Sequence, residues 1–325
     1  MPRVFKRLLP LSLSLTVIVP TRNPGAYWPK WLKAFGQQRP NVSCLIVDST
    51  SNDGTNFTSS TLVTQVLEID AANFSHGGTR NFALQHIDPL TDVVVFMTQD
   101  ALFADENALN NLVNVFLNPS VGCAFGRQLP HLDATPFARH ARMFNYPSQS
   151  RIVSMSDKNE LGIKTCFLSN SFAAYRVADL MAVGGFPTDV ILGEDMAVAA
   201  KMLTEGKSVA YVSESCVHHS HNYTTLEEFR RYFDTGVFHA RQRWILQEFG
   251  SAGGEGLRFV LSELTYLWRN DPHLILSAVI RSFMKWLGYK LGRFEAHLPL
   301  VFKRWCSMHK PYWMKQDVIE KRVAY

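Results

Sequence analysis

Four polar clusters in the chain carry side chains that could handle a charged ligand. They are VDSTSNDGT (47–55), FSHGGTRN (74–81), TQDA (98–101) and GGFPTDVILGEDMAVAAKM (184–202). A carboxylate such as Asp100 suits a divalent cation, an arginine such as Arg80 suits phosphate oxygens, and a carboxylate such as Asp195 can accept a proton. Taken singly, each cluster also has an ordinary explanation, because Asp and Asn close turns and acids at a helix start are favoured by the helix dipole.

A fifth segment, CVHHSHNYT (216–224), places three histidines within four residues. On an extended chain His219 and His221 point to one side and His218 to the other. Imidazole is a common metal ligand, so His219 and His221 are candidates for a cation ligand or a phosphate contact. The alternative is that all three are simply packed or solvated.

Strands and helices must position these clusters, and the first part of the chain alternates between the two. Short apolar runs predict buried strands at 13–19, 43–47, 64–69, 93–97 and 208–212. Helices are expected near 27–36, 79–87, 105–117 and 195–205. This alternation is typical of an α/β fold with a mostly parallel sheet flanked by helices.

Ligands of such sheets collect at the carboxyl ends of the strands. There the sequence places Thr21 and Asn23 after the first strand, Asp48 after the second and Thr98 to Asp100 after a later one. After about residue 222 the pattern changes to long helical segments rich in aromatic and basic residues. We therefore predict a binding site in the first part of the chain.

The clusters, taken in order and at their spacing, resemble glycosyltransferase family 2, whose members are inverting nucleotide-sugar transferases with a Rossmann-like GT-A fold. TVIVPTRN, VDSTSNDGT, the aspartate-ended strand and GGF…GED carry this resemblance over roughly residues 13 to 222. FSHGGTRN, TQDA and HHSHNY are similar to the bacterial rhamnosyltransferases of O-antigen synthesis. The domains expected are a GT-A transferase domain (1–222) and a C-terminal helical, basic and amphipathic region (223–325).

The resemblance also implies roles for individual residues. Asp195 is the expected catalytic base, Glu194 the acceptor-positioning residue and Asp100 the metal ligand. His219 and His221 are added to the metal site as candidates because of their spacing. The nucleotide sugar is expected to contact Thr21, Asn23, Asp48, Arg80 and Gln99, with Asp48 accepting the pyrimidine N3–H. One departure is that the family's DxD metal motif reads Thr98-Gln99-Asp100 here.

The function expected from this resemblance is transfer of L-rhamnose from dTDP-L-rhamnose to a lipid-linked glycan by single displacement, with Mg²⁺ or Mn²⁺ as cofactor. The same chemistry with a UDP-hexose or UDP-N-acetylhexosamine donor is the alternative. A nucleic-acid-binding protein is disfavoured because the basic residues alternate with large aliphatics and no nucleic-acid motif is visible. A non-catalytic glycan-binding protein is disfavoured because Asp48, Asp100 and Asp195 are all present.

Charge is unevenly distributed along the chain. The net charge is +5, yet residues from Val279 onward hold ten Lys or Arg against three acids. Within 275–294, Leu276, Val279, Ile280, Phe283 and Leu287 share one helical face, and Ser277, Arg281 and Lys285 share another. This pattern favours contact with an anionic membrane surface. The alternative is an ordinary amphipathic helix packed on the catalytic domain.

The remaining features concern the compartment. The five cysteines are scattered without a CxxC pair, which favours a reducing compartment. The N-terminal segment has basic residues before an apolar stretch, but Pro10 interrupts it and it runs into TRNPG, so we expect a first strand rather than a signal peptide. The expected location is cytoplasmic, peripheral on the cytoplasmic face of the inner membrane.

Overall fold

The computed structural model describes residues 13–40, 42–250 and 254–315. Nine strands in these residues form one sheet. They are β1 (Leu15–Thr21), β2 (Cys44–Asp48), β3 (Val63–Glu68), β4 (Val93–Met97), β5 (Leu102–Phe103), β6 (Val121–Leu129), β7 (Arg151–Val153), β8 (Phe172–Arg176) and β9 (Ser208–His218).

Twelve α-helices lie wholly within the same described ranges. They are α1 (Tyr27–Phe35), α2 (His76–Leu84), α3 (Ala108–Asn114), α4 (Pro136–Asn145), α5 (Lys158–Leu161), α6 (Val177–Ala182), α7 (Glu194–Thr204), α8 (Thr225–Arg241), α9 (Arg243–Phe249), α10 (Glu255–Asn270), α11 (Ile275–Arg293) and α12 (Leu300–Cys306).

The sheet is mostly parallel, as predicted. Its order is β3-β2-β1-β4-β8-β6-β9-β5, with β7 on β9. Strands β1 to β4, β6 and β9 run in one direction, whereas β5, β7 and β8 run in the other. All five predicted strands are present, although β9 extends six residues beyond the predicted end at 212.

Strands β5 to β8 were not predicted. β6 (VGCAFGRQL) and β8 (FAAYR) are rich in Gly and Ala and poor in β-branched residues, so their strand propensity is weak. They form because they fill the centre of the sheet between β4 and β9. The four predicted helices appear as α1, α2, α3 and α7, with α2 starting three residues earlier than expected.

Two apolar layers cover the sheet. Helix α1 buries Trp28, Trp31 and Phe35, which share one helical face at this spacing, and they pack with α3 against one side of the sheet. On the other side, α6 and α7 pack together with α8 and α9. Helices after residue 222 thus complete the core of the sheet, and the proposed boundary at 222/223 stays a prediction.

Helices α8 and α11 pack backbone to backbone. A Cβ on Gly288 would lie 2.3 Å from the carbonyl oxygen of Phe229, and one on Gly292 would lie 2.0 Å from that of Phe233. Only glycine permits this approach. The contact fixes which face of α11 is turned inward.

That inward face carries charged side chains beside the apolar Met284, Leu287 and Leu291. Arg281 is buried and donates to Glu228 Oε2 at 3.3 Å and to the Tyr223 carbonyl oxygen, and Lys285 Nζ lies 3.4 Å from Glu228 Oε1. Four of the five residues predicted to share the apolar face are exposed: Leu276, Val279, Ile280 and Phe283. The alternative of an amphipathic helix packed on the catalytic domain stays open, because α11 packs on α8 although most of its predicted apolar face is exposed.

Exposed apolar side chains are concentrated in this part of the molecule. Thirteen large ones lie within 254–315, against nine within 13–250. They include Trp268, Trp286 and Trp305, which are between 52% and 72% exposed. None of the helices in the described ranges is long and apolar enough to cross a membrane. Residues 1–12, on which the signal-peptide question depends, and the tail cations Lys321 and Arg322 lie outside the described residues.

Candidate active site

The carboxyl ends of β1 and β2 meet at one edge of the sheet, where Thr21 pairs with Asp48 in the strand register. Asp48 is buried and accepts hydrogen bonds from Thr21 Oγ1 at 3.1 Å, from Ser51 N at 2.8 Å and from Ser51 Oγ at 2.5 Å. A carboxylate has about four acceptor positions. About one therefore remains for a ligand such as a base N–H.

Asn23 and Gln99 tie the loops at this edge together. Asn23 donates its backbone N–H to Ser51 Oγ and accepts from Asn52 N, at 2.8 and 2.7 Å. Gln99 accepts from Arg22 N at 2.8 Å and donates to the Arg22 carbonyl oxygen at 3.0 Å. In this structure both residues connect neighbouring loops by hydrogen bonds, and their predicted contact with the nucleotide stays a prediction.

A cleft of about 580 Å³ opens beside this edge. Six of the ten predicted site residues line it: Arg80, Asp100, Glu194, Asp195, His219 and His221. The other four, Thr21, Asn23, Asp48 and Gln99, are not among its lining residues.

Asp100, His219 and His221 form one cluster in the cleft. Their ligand atoms all lie within 4.8 Å of one another; His219 Nε2 is 3.5 Å and His221 Nδ1 4.0 Å from Asp100 Oδ2. Burial acts to raise the pKa of Asp100, but His219, Thr98 and His221 outweigh it and hold that pKa below its usual range. As predicted, the two histidines point to the same side, while His218 Nδ1 lies 2.9 Å from the Pro130 carbonyl oxygen.

Glu194 and Asp195 begin helix α7, and Asn170 fixes both. Asn170 donates its backbone N–H to Asp195 Oδ2 and its Nδ2 to Glu194 Oε1, each at 3.1 Å. Asp195 also accepts from Met196 N at 2.8 Å. One residue thus holds two neighbouring carboxyl groups in different environments.

Arg80 is the reason that the environments of Glu194 and Asp195 differ. Its Nη1 donates to Glu194 Oε1 at 3.0 Å and to the His76 carbonyl oxygen, and the pair is almost fully buried. Gly77 brings helix α2 this close, since a Cβ there would lie 2.0 Å from the Pro187 carbonyl oxygen. Arg80 lines the cleft and its Nη1 already donates to Glu194 and His76, and its predicted contact with the diphosphate stays a prediction.

The pKa values of the two carboxyl groups are therefore shifted in opposite directions. Burial acts to raise the pKa of Glu194, but Arg80, His76 and Asn170 hold it below its usual range. Burial and the charge of Glu194 raise the pKa of Asp195 to about 6. A carboxylate with a pKa near the operating pH is suited to general-base catalysis.

Several lining residues were missed by the sequence analysis. They are Gln128, Arg142, Asn170, Tyr223, Arg231 and His309. Gln128 and Arg142 lie in β6 and α4, neither of which was predicted, and Arg231 and His309 lie in the region assigned to a separate C-terminal unit. Thr135 as the N-cap followed by Pro136 at the first helical position is a local signal that could have pointed to α4.

Comparison with known proteins identifies one family. Residues 16–184 match the family described as "Glycosyl transferase family 2". The chain is 51% identical to O-antigen chain rhamnosyltransferase WbaN of Salmonella anatum over 92% of its length and 96% of the relative. It is also 51% identical to O-antigen chain rhamnosyltransferase RfbN of Salmonella typhimurium, over 93% and 96%.

Among solved structures, the fold is similar to that of a mannosyltransferase, PcManGT from Pyrobaculum calidifontis, in complex with GDP-Man and Mn²⁺. The TM-score is 0.55 at 19% identity, covering 96% of this chain and 90% of the other. At that identity the likeness concerns the fold alone.

Proposed function

Since the chain belongs to glycosyl transferase family 2, we propose that its cleft transfers L-rhamnose from dTDP-L-rhamnose to the glycan of a lipid-linked acceptor in O-antigen chain synthesis. The 51% identity with two O-antigen chain rhamnosyltransferases over more than nine tenths of the chain carries this proposal. The cleft is consistent with this proposal because it holds a cluster of possible metal ligands and a carboxylate of raised pKa.

In the proposed mechanism Asp195 is the general base. A sugar hydroxyl is a poor nucleophile, so a carboxylate must take its proton as it attacks the anomeric carbon. Burial and Glu194 raise the pKa of Asp195, which makes it a better proton acceptor than an ordinary aspartate while it remains ionised near neutral pH. Attack from the face opposite the leaving group gives inversion in a single displacement.

The leaving group is a nucleoside diphosphate, and the Asp100 cluster is suited to it. One carboxylate oxygen and two imidazole nitrogens fit Mn²⁺ better than Mg²⁺, which prefers oxygen ligands throughout. A divalent cation held by Asp100, His219 and His221 would neutralise charge developing on the departing diphosphate. Arg142 and Arg231, which line the same cleft, add positive charge for the phosphate oxygens.

The lipid-linked acceptor accounts for the outward face of the C-terminal helices. Exposed Leu, Ile, Phe and Trp side chains on α10 to α12 match those of helices that lie in the membrane interface. Lys290, Arg293, Arg304 and Lys310 are exposed nearby in sequence and favour anionic lipid. The protein would then act peripherally, at the cytoplasmic face of the inner membrane.

A donor screen tests the catalytic proposal. Binding of dTDP-L-rhamnose, UDP-glucose, UDP-galactose and UDP-N-acetylglucosamine is measured by calorimetry, and nucleoside diphosphate release is measured with chelator, Mg²⁺ or Mn²⁺. We expect dTDP-L-rhamnose to bind most tightly and release to require the cation. Preference for a UDP-sugar would overturn the rhamnosyl donor and leave the family assignment intact.

Asp100→Ala tests the cation site in the same assay. It should remove cation-dependent turnover while the protein stays folded. Asp88→Ala is the matched control, because Asp88 is an exposed aspartate that closes a turn by accepting from Leu90 N at 2.8 Å. Equal activity of the two variants would show that Asp100 also only closes a turn.

A further inference from the structure

The ring nitrogen of His219 that faces away from Asp100 lies against a buried amide. His219 Nδ1 is 2.9 Å from Gln128 Oε1, while Nε2 is 3.5 Å from Asp100 Oδ2. His219 is 5% and Gln128 2% exposed, so neither depends on bulk water for a partner. The atom that Gln128 presents therefore decides whether His219 Nδ1 carries a proton.

Arg142 decides which end of the Gln128 amide faces His219. Its Nη1 hydrogen-bonds the same Oε1 atom, and a guanidinium has only donors. The shared atom must therefore be the carbonyl oxygen. The other end of the amide is occupied too, because Gln128 Nε2 donates to Ser169 Oγ at 2.9 Å. Turning the amide over would set its NH₂ group against the donors of Arg142.

We infer that Arg142 and Gln128 are positioning residues that hold His219 as the Nδ1–H tautomer and leave its Nε2 lone pair for a divalent cation shared with Asp100. The inference rests on the proposed cation site. The order of contacts is Arg142 on α4, Gln128 on β6, His219 directly after β9 and Asp100 after β4. Hydrogen bonds of this kind commonly orient metal-binding histidines.

Two features of the surroundings support a fixed chain of hydrogen bonds through Arg142, Gln128 and His219 (the relay). The Arg142 guanidinium lies 5.5 Å from the centre of the Tyr146 ring, which restricts its movement. The neighbouring His221 has no corresponding amide among its hydrogen bonds in the described residues; its ring instead stacks on Tyr223 with centroids 5.0 Å apart. The relay therefore singles out His219 of the two histidines.

The tautomer can be measured without any cation. Long-range ¹H–¹⁵N spectra of the ¹⁵N-labelled, metal-free protein distinguish protonated from unprotonated ring nitrogens, and the His219 signals are assigned by their loss in His219→Gln. We expect a protonated Nδ1 in the wild type, because Gln128 presents an acceptor to it. A His219 whose Nδ1 is unprotonated would overturn the inference.

Variants of the relay separate positioning from simple packing. Gln128→Leu removes the acceptor, so His219 should move its proton to Nε2 and donate it to Asp100. Affinity for Mn²⁺, measured by electron paramagnetic resonance, should then fall by about 10- to 100-fold. Gln128→Glu keeps an acceptor and should retain both the Nδ1–H tautomer and most of the affinity.

Arg142→Leu has a matched control in Arg139→Leu, since Arg139 is exposed on the same helix. Only Arg142→Leu should disturb the tautomer. Unchanged spectra and Mn²⁺ affinity in both Gln128→Leu and Arg142→Leu would overturn the inference. If the wild type binds no Mn²⁺ but the tautomer follows Gln128, the positioning roles stand and the proposed cation site fails.

Discussion

The sheet region and the C-terminal helices arrange the same kinds of side chain in opposite ways. In the sheet region the apolar residues of β1, β2, β4 and β8 are buried and the polar ones gather at strand ends or in the cleft. On α11 the apolar residues Val279, Ile280 and Phe283 face outward, and the cation Arg281 faces inward. A helix of this polarity is stable in water only at the expense of exposed apolar surface, which typically marks an interaction surface.

Several basic residues after Val279 are paired within the protein. Of these residues, Arg281, Lys285 and Lys303 lie within 4.0 Å of the acids Glu228 and Glu295, and Lys315 donates to the Phe74 carbonyl oxygen at 3.2 Å. The charge excess counted along the sequence is thus partly neutralised inside the protein. Apolar contact, more than charge alone, is expected to govern binding at this face.

The largest expected effect lies in the cleft. Asp195→Asn keeps the size and hydrogen-bonding ability of the side chain but removes its basicity, so turnover should fall by roughly 10²- to 10⁴-fold. Donor affinity should be near normal. Turnover and donor binding are measured on the same preparation, and the melting temperature should be unchanged or higher at pH 7.5, since an ionised, buried Asp195 is unfavourable there.

Glu194→Gln is the matched comparison for Asp195→Asn. Arg80 would lose the charged partner of a buried pair, so this variant should lose stability, and removing one partner of such a pair costs about 3–5 kcal/mol. Its turnover per folded molecule should fall less. If Glu194→Gln abolishes turnover and Asp195→Asn does not, the two roles are reversed.

A pair of substitutions on one helix tests the inverted polarity of α11. Arg281→Met leaves Glu228 with one fewer cation and should lower the free energy of unfolding by about 3 kcal/mol. Ile280→Ser, at a half-exposed neighbouring site, should change it by only about 0.5 kcal/mol. Denaturant titration measures both. The reverse ranking would mean that α11 packs through its apolar face.

Much of the sheet region could be predicted from the sequence because its signals are local. Strands such as Val93–Met97 are continuous apolar runs, and the polar motifs follow them directly. The grouping of Asp100, His219 and His221 could also be predicted, since a period of two fixes the side of each histidine and strand ends meet at one edge.

The contacts that organise the site could not be predicted in this way. Asn170 and Gln128 act through partners far away in sequence, on α7, α4 and after β9, and no short pattern marks such residues. The orientation of α11 was also hidden, because an amphipathic pattern shows that a helix has two faces but not which one packs inward. Gly288 and Gly292 decide that through close contact with α8.

A smaller effect is expected at the outward face. Phe283→Ser combined with Trp286→Ser removes two large side chains that are 56% and 54% exposed. Each contributes roughly 1 to 1.5 kcal/mol on partial burial, so binding to vesicles with anionic lipid should weaken about 30- to 150-fold. Leu90→Ser combined with Met181→Ser removes exposed apolar groups from the sheet region and should leave vesicle sedimentation unchanged. Equal behaviour of the two double variants would contradict a membrane-binding face on α11.

The smallest expected effect is a pH dependence of turnover in the cleft, which vesicle binding at the apolar face should not share. The pKa of Asp195 is about 6, so lowering the pH from 7 to 5 protonates the base and should reduce kcat/KM about tenfold, because about one tenth of it is ionised one unit below the pKa.

The same group acts on stability with the opposite sign. Folding raises its pKa, so its contribution to stability is fully present below the unfolded value near 3.8 and is lost as the pH rises through 6. Asp195→Asn should therefore gain melting temperature relative to the wild type as the pH rises from 5 to 7, the range in which wild-type activity increases. Vesicle binding through the apolar face should not follow either curve. A melting difference that is flat with pH would show that Asp195 titrates normally and would leave the raised pKa, and with it the assignment of the base, without support.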